Sequence, residues 1–176
     1  MRRAIVILLA VCFLGSSAVF ADDLSPQQTA ASQFAQRFYD WYTPLAHKHS
    51  NTPSWIVALG KRGADFDPGL SRALKEDAEA QRKVSDDIVG LDFDPFLNSQ
   101  DMDDKYTVGN VTEKDGVFLV SVYGVRKGKR AAKPDVAVEL KASKGSFVFT
   151  NFRYDSNENL VATLKLLKEQ RTQAPQ

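Results

Sequence analysis

Five aspartates lie close together in this sequence: Asp92, Asp94, Asp101, Asp103 and Asp104. Carboxylates at this density could bind Ca²⁺, which prefers oxygen ligands. An EF-hand loop also needs a glycine at its sixth position and a glutamate at its twelfth, and the sequence has neither after Asp92 or Asp101. We therefore predict no metal site, and expect Asp94 and Asp101 to order a loop by accepting hydrogen bonds from backbone N–H groups.

Two histidines, His47 and His49, are the next candidates for chemistry. They follow a predicted helix, where side chains two residues apart diverge, so the pattern favours two exposed histidines over a metal-binding pair. Either could act as a general base, but the sequence alone assigns it no catalytic serine or acid.

A basic segment is the third candidate, with five cations in eight positions: Arg126, Lys127, Lys129, Arg130 and Lys133. It could bind an anionic partner such as a lipid headgroup, a polyanion or an acidic protein surface. The simpler interpretation is the solvated end of a hairpin.

The N-terminus has the pattern of a secretory signal peptide. Arg2 and Arg3 precede an unbroken apolar run over residues 4–14, and Val19 and Ala21 suit cleavage after Ala21. The run is too short to span a bilayer, which needs about 20 apolar residues. We therefore predict that residues 1–21 are removed and that the mature chain is periplasmic, with no membrane span.

Composition excludes several kinds of chemistry. The chain has 176 residues, a net charge of +1 and one cysteine, Cys12, within the predicted leader. A lipoprotein would carry lipid there, but Val11 is larger than the residue usually found before a lipidated cysteine. Residues 1–21 hold two basic and no acidic side chains, so 21 basic and 22 acidic ones remain in 155 residues. This leaves no cysteine chemistry and argues against nucleic acid as a partner.

Helical spacing marks the first half of the mature chain. Apolar residues three and four apart predict a helix over about 26–47, and it carries Phe34, Phe38 and Trp41. Ser54 is predicted to cap a short helix over 55–59. Asp67 is predicted to cap another helix, which begins at Pro68.

After residue 104 the apolar period changes to two, which predicts strands over 106–112, 117–126, 135–142 and 146–154, with glycine turns between them. Phe147 and Phe149 are expected on one face of the last strand, with Phe152 and Tyr154 on the other. A final helix is predicted from about residue 157. The fold class is therefore α+β: N-terminal helices, a curved four-stranded antiparallel sheet and a C-terminal helix. We expect one domain over 22–169 and a polar tail over 170–176.

Three sequence motifs carry a family resemblance: Phe38-Tyr39-x-Trp41-Tyr42, Asp94-Pro95-Phe96-Leu97-Asn98-Ser99-Gln100-Asp101 and Asn151-Phe152-Arg153-Tyr154. With them the chain resembles, over about residues 30–168, a family of exported bacterial proteins of undetermined function. That family has a cone-shaped fold similar to nuclear transport factor two. The resemblance implies a curved sheet wrapped round a long N-terminal helix and no assigned catalytic residues. The predicted C-terminal helix departs from it, because many cone folds end in a strand.

Such a fold would place a pocket between the first helix and the concave face of the sheet, unless side chains fill it. The residues predicted to bind a ligand or partner come from this pocket and from the aspartate-rich loop: Tyr42, Asp94, Gln100, Asp101, Asp103, Tyr123, Arg153 and Tyr154.

The functional prediction is a binding protein without cofactors, because the sequence has no nucleophile elbow, metal signature or nucleotide loop. It could be an inhibitor or immunity protein that inserts the aspartate-rich loop into a periplasm-acting enzyme, or it could hold a small ligand. The alternative is a pocket enzyme of the isomerase or dehydratase type, with Asp94 or Asp101 as base and Tyr154 beside it. A homodimer through the outer sheet face is also compatible with the apolar strands.

Overall fold

The computed structural model describes residues 24–48, 50–84 and 86–173. The predicted leader, residues 1–21, and His49 lie outside the described residues. The elements follow one another as α1 (Pro26–Ala46), α2 (Ser54–Lys61), a 3₁₀ turn (Gly63–Asp65), α3 (Pro68–Arg82), β1 (Lys105–Lys114), β2 (Val117–Arg126), β3 (Lys129–Arg130), β4 (Val136–Ser143), β5 (Ser146–Arg153) and α4 (Leu160–Gln173). The predicted fold class is confirmed: helices come first, then a curved and open antiparallel sheet, then a C-terminal helix.

Helix α1 begins with a capping box. The N–H of Ser25 donates to Gln28 Oε1 (2.8 Å), and the N–H of Gln28 donates back to Ser25 Oγ (3.2 Å). Pro26 occupies the first turn, where its missing N–H costs no hydrogen bond. The helix therefore starts at a position set by local sequence, and this start directs its aromatic face toward the sheet.

Of the two predicted caps for α2 and α3, one is confirmed and one is wrong. Asp67 caps α3 as predicted, because its Oδ1 accepts from the N–H groups of Gly69 (2.8 Å) and Leu70 (3.2 Å). The prediction that Ser54 caps α2 is wrong. Pro53 occupies the cap position, and the Ser54 hydroxyl donates instead to the carbonyl of Leu45 (3.4 Å) at the end of α1.

The sheet is built from hairpins in the order β1-β2-β4-β5, with β3 paired to β2. Three turns have positive φ at both central residues, as in Asp115 (52°) and Gly116 (73°), which is the type I′ geometry that fits the twist of a hairpin. The second of these turns, at Lys127 and Gly128, places the basic segment at an exposed hairpin end, in agreement with the simpler interpretation of the sequence.

A β-bulge in β5 contradicts the prediction that Phe149 and Phe152 lie on opposite faces of this strand. Glu139 pairs with Asn151 and Leu140 with Phe149, so Thr150 has no partner in β4. The extra residue reverses the alternation of side chains, and Phe149 and Phe152 both become fully buried instead of lying on opposite faces.

The concave side of the sheet is filled by aromatic rings. Phe38 of α1 is fully buried, and its ring centroid lies 4.7 Å from Phe149, 5.3 Å from Tyr42 and 5.8 Å from Phe96. The rings of Phe96 and Phe152 are 4.8 Å apart. The alternative of a filled cone therefore describes the space between α1 and the sheet.

Helix α4 closes the domain. Asn159 Oδ1 accepts from the N–H of Ala162 (3.0 Å), and Leu160 and Leu164 are buried. The helix continues to Gln173, so it includes the first residues of the segment predicted as a polar tail. No helix within the described ranges combines the length and apolar character needed to cross a membrane.

A buried ion pair that sequence reasoning missed joins α4 to α3. Asp77 is 1% exposed, and its Oδ1 lies 2.6 Å from Arg171 Nη1. Its Oδ2 accepts from the N–H of Leu91 (2.8 Å), and Arg171 also donates to the carbonyl of Val89 (2.6 Å). The Asp77 carboxylate therefore connects α3, α4 and the segment before the sheet.

We expect Asp77→Ala to lower the free energy of unfolding by about 3–5 kcal/mol, because it leaves a guanidinium and a backbone N–H without their partner. Chemical denaturation measures this. Glu79→Ala is the matched control, since Glu79 pairs with Arg82 at the surface of the same helix and should change stability little. Equal effects of the two substitutions would contradict the prediction.

Candidate functional site

Residues 92–104 form the aspartate-rich segment, called here the acidic loop. Three tyrosine hydroxyls hold three consecutive residues of this loop from inside the protein. They donate as follows: Tyr42 to Asp94 Oδ2 (2.5 Å), Tyr154 to the carbonyl of Pro95 (3.1 Å) and Tyr39 to the carbonyl of Phe96 (2.9 Å). Tyr39 and Tyr42 are three residues apart on α1, so they project from the same face of the helix. The acidic loop is thus attached to both α1 and the end of β5.

Asp94 also orders the turn that follows it. Its Oδ1 accepts from the N–H groups of Phe96 (2.9 Å) and Leu97 (3.2 Å), which confirms the predicted capping role. Asn98 then adopts a positive φ of 52°, and the Asp94 N–H donates to the carbonyl of Ser99 (3.0 Å). Pro95, Phe96 and Leu97 are buried, and the chain returns to the surface at Asn98.

Burial dominates the protonation of this group. It raises the pKa of Asp94 from 3.8 to about 6, against the opposing hydrogen bonds from Tyr42, Phe96 and Leu97. Burial, followed by the charge of Asp94, raises the pKa of Tyr42 well above its ordinary value, so the phenol stays a donor. The hydrogen bond between Tyr42 and Asp94, on the inner side of the loop, therefore depends on whether Asp94 is protonated.

The outer side of the acidic loop is fastened by the basic hairpin. Arg126 donates from Nε to Asp103 Oδ1 (2.5 Å) and from Nη1 to Asp101 Oδ2 (2.9 Å). Its Nη2 donates to the carbonyl of Asp101 (2.9 Å), and the N–H of Lys127 donates to Asp104 Oδ2 (2.6 Å). These bonds, first that of Asp103 and then that of Asp101, raise the pKa of Arg126. Asp101 was expected to cap backbone N–H groups, and its carboxylate accepts from a guanidinium instead.

Gly124 makes this contact feasible. A Cβ atom at this position of β2 would lie 1.8 Å from Asp103 Oδ2 and 3.0 Å from Asp135 Oδ2. The N–H of Gly124 donates to the same Asp135 oxygen (2.5 Å). Only glycine lets both carboxylates lie against the strand, so the acidic loop docks where β2 lacks a side chain.

The structure separates the predicted site residues into two groups. Tyr42, Asp94 and Tyr154 meet on the inner side of the acidic loop, and Gln100, Asp101 and Asp103 lie on its outer side. Tyr123 and Arg153 do not join them. They lie on the outer face of the sheet, where Arg130 stacks 3.6 Å from the Tyr123 ring centroid and Arg153 pairs with Glu139.

The structure gives little support to the other candidates from the sequence, the histidines and a metal site. His47 is exposed, with Nε2 3.0 Å from the carbonyl of Asp103. Within the described ranges, no group of three or more His, Cys, Asp or Glu side chains is arranged to hold a metal ion. Neither Asp94 nor Tyr42 lines any of five of the better-formed surface cavities of the described residues.

Two residues of the site, Tyr39 and Arg126, are absent from the eight residues predicted to bind a ligand or partner. Tyr39 carried a usable signal, since it stands one helical turn before Tyr42. Arg126 was counted among five cations, and nothing in the linear sequence distinguishes it as the one that meets the aspartates. Comparison with protein-family models, with curated proteins and with solved structures found no match for this chain.

We expect Asp94 to make stability depend on pH in an unusual direction. Between about pH 4 and pH 6 the folded protein keeps a proton on Asp94 that the unfolded chain releases, so stability falls as pH rises. The free energy of unfolding of wild type minus that of Asp94→Asn should fall by on the order of 2–3 kcal/mol across this window and stay constant above it. Denaturation at several pH values measures this.

Carboxyl NMR provides the direct check, with a titration midpoint for Asp94 near 6. Tyr42→Phe serves as the second variant: it removes a hydrogen bond that stabilises the carboxylate, so the pKa of Asp94 should rise further. A midpoint near 4 in wild type, or a fall in the pKa of Asp94 in Tyr42→Phe, would show that the carboxyl is solvated.

We expect Arg126→Ala to loosen the outer side of the acidic loop without unfolding the domain. Amide hydrogen exchange should increase over residues 101–105, while core strands such as β2 keep their protection, because the tyrosine anchors remain. Lys129→Ala is the control, since Lys129 lies in the same hairpin without contacting the aspartates. Unchanged exchange over 101–105 in Arg126→Ala would contradict the prediction.

Proposed function

We propose that this chain is an exported protein-binding domain of the inhibitor or immunity type, which acts in the periplasm on another protein and catalyses no reaction. The leader pattern and the resemblance to an exported family with a cone-like fold support the compartment. The acidic loop supports the mode of action.

The proposal depends on how the acidic loop is held. Tyrosine hydroxyls fasten residues 94–96 from inside, and Arg126 fastens residues 101 and 103 from outside. A loop fixed at both sides loses little conformational entropy when it binds, so more of its contact energy becomes affinity. Loops that plug an enzyme cleft need this kind of preorganisation.

The chemistry of the loop's outer surface defines the partner. Asp92, Gln100, Asp101 and Asp104 are exposed, and the Asp101 side chain keeps 88% of its surface accessible although it pairs with Arg126. An acidic surface of this kind complements a cleft lined by Lys and Arg. Asp103 has a different role, because it is 18% exposed and positions the loop against β2.

The alternative of a pocket enzyme has weaker support. Both oxygens of Asp94 already accept hydrogen bonds, and the hydroxyl of Tyr154 donates to the carbonyl of Pro95. A general base needs access to a substrate proton, and the better-formed surface cavities named above are not lined by Asp94. A small ligand held inside the cone would have to displace the packed rings of Phe38 and Phe96.

The test uses the mature chain and a panel of purified cell-wall hydrolases with basic clefts: a muramidase, an amidase and an endopeptidase. We expect the protein to bind and inhibit one of them, with affinity that falls as salt increases. Binding is measured by calorimetry and inhibition by the clearing of peptidoglycan suspensions.

The decisive variant is Asp101→Asn, which removes the charge while keeping an acceptor for Arg126. It should weaken binding by about tenfold or more, as a central contact does. Asp115→Asn removes an equally exposed charge at the β1–β2 turn and should have no effect. The proposal fails if no hydrolase is bound, or if the two variants weaken binding equally.

A further inference from the structure

We propose that this chain forms a symmetric dimer in which Ile88 of each protomer enters an apolar groove between α2 and α3 of the other. The contact uses residues outside the acidic loop and does not depend on the proposed function.

The groove is an apolar recess of about 470 Å³ at the surface of the two helices. Trp55 and Ile56 of α2, Ala78 of α3 and Leu91 of the following segment form its apolar lining. The charged residues of its lining have both signs. Asp77 pairs with Arg171 and Arg82 pairs with Glu79, whereas Lys75 is exposed and joins none of the ion pairs found among the described residues. A recess of this kind accepts one large apolar side chain and favours an acidic group beside it.

Ile88 is the most exposed large apolar residue among those described, at 68%. It belongs to the segment that leads from α3 toward the sheet, and Val84 at 37% exposure is its neighbour in that segment. Asp87 precedes it directly, so the protruding side chain is accompanied by a negative charge.

The exposure of Ile88 does not come from a loose chain. Gln81 Oε1 accepts from the N–H groups of Val89 (2.8 Å) and Gly90 (3.0 Å), and Gln81 Nε2 donates to the carbonyl of Asp87 (3.0 Å). Arg171 adds a bond to the carbonyl of Val89 (2.6 Å). Four hydrogen bonds therefore fix the backbone on both sides of an apolar side chain that faces water, which is how a preorganised binding anchor is built.

A second copy of the chain is the partner that this surface fits. In a two-fold contact the same patch must carry both complementary parts. Gln81 lines the groove and also donates to the backbone of the segment that carries Ile88. Ile88 and the groove therefore lie side by side on one surface. The charges match at one position, because Asp87 precedes Ile88 while Lys75, the cation of the groove lining that joins no ion pair within the described residues, borders the groove.

The test begins with the oligomeric state of the mature chain, measured by sedimentation equilibrium. We expect a dimer in wild type, and Ile88→Asp should raise its dissociation constant by about thirtyfold or more, as for a central contact. Leu166→Asp is the matched control, since Leu166 is 54% exposed on α4 and should leave the dimer unchanged. Thermal melting by circular dichroism verifies that both variants fold.

Charge reversal tests the predicted pairing. Lys75→Glu alone and Asp87→Lys alone should each weaken the dimer by about tenfold at low salt, and the combined variant should restore it. The proposal is overturned if wild type stays monomeric up to millimolar concentration, if the combined variant is not restored, or if the dimer survives Ile88→Asp. Survival would point instead to the outer sheet face as the contact.

Discussion

The buried carboxylate of Asp94 is the constraint on which the rest of the site depends. A charged or polar group removed from water must find partners inside the protein. Asp94 finds them in the Tyr42 hydroxyl and in two backbone N–H groups of its own turn. By doing so it directs Phe96 into the core, where this ring packs against Phe38 and Phe152. One polar contact thus sets both the path of the acidic loop and the centre of the aromatic core.

Three arginines pair with carboxylates on other elements of the fold. Arg126 meets Asp101 and Asp103, Arg171 meets Asp77, and Arg153 meets Glu139. Each pair joins segments that are far apart in the chain, so the ion pairs act as fasteners between elements. The acidic groups left exposed on the loop, above all Asp101 and Asp92, therefore stand on a rigid support, and this is what makes the loop suited to recognition.

Several elements followed from local patterns alone. Apolar residues three and four apart located α1, Asp67 before Pro68 located the start of α3, and glycine turns separated the strands. The exceptions have physical causes that a local pattern does not contain. The bulge at Thr150 reversed the alternation in β5. Asp77 can be buried because Arg171, from the other end of the chain, pairs with it.

The candidate site also combines features that local sequence predicts with contacts that only the fold creates. Its residue types, an aspartate-rich loop and tyrosines on α1 and after β5, were evident from the linear order, and so was the role of Asp94 in ordering its turn. The contacts between these residues depend on the folded sheet. Strand β2 brings Arg126 beside Asp101, and Gly124 leaves space for Asp103 against the same strand. Tyr123 and Arg153 were separated from the site by the two-residue period of the strands, which turned them to the outer face. Hydrogen-bond and capping chemistry acts over a few residues and can be deduced from sequence, whereas contacts between charges distant in the chain exist only in the folded structure.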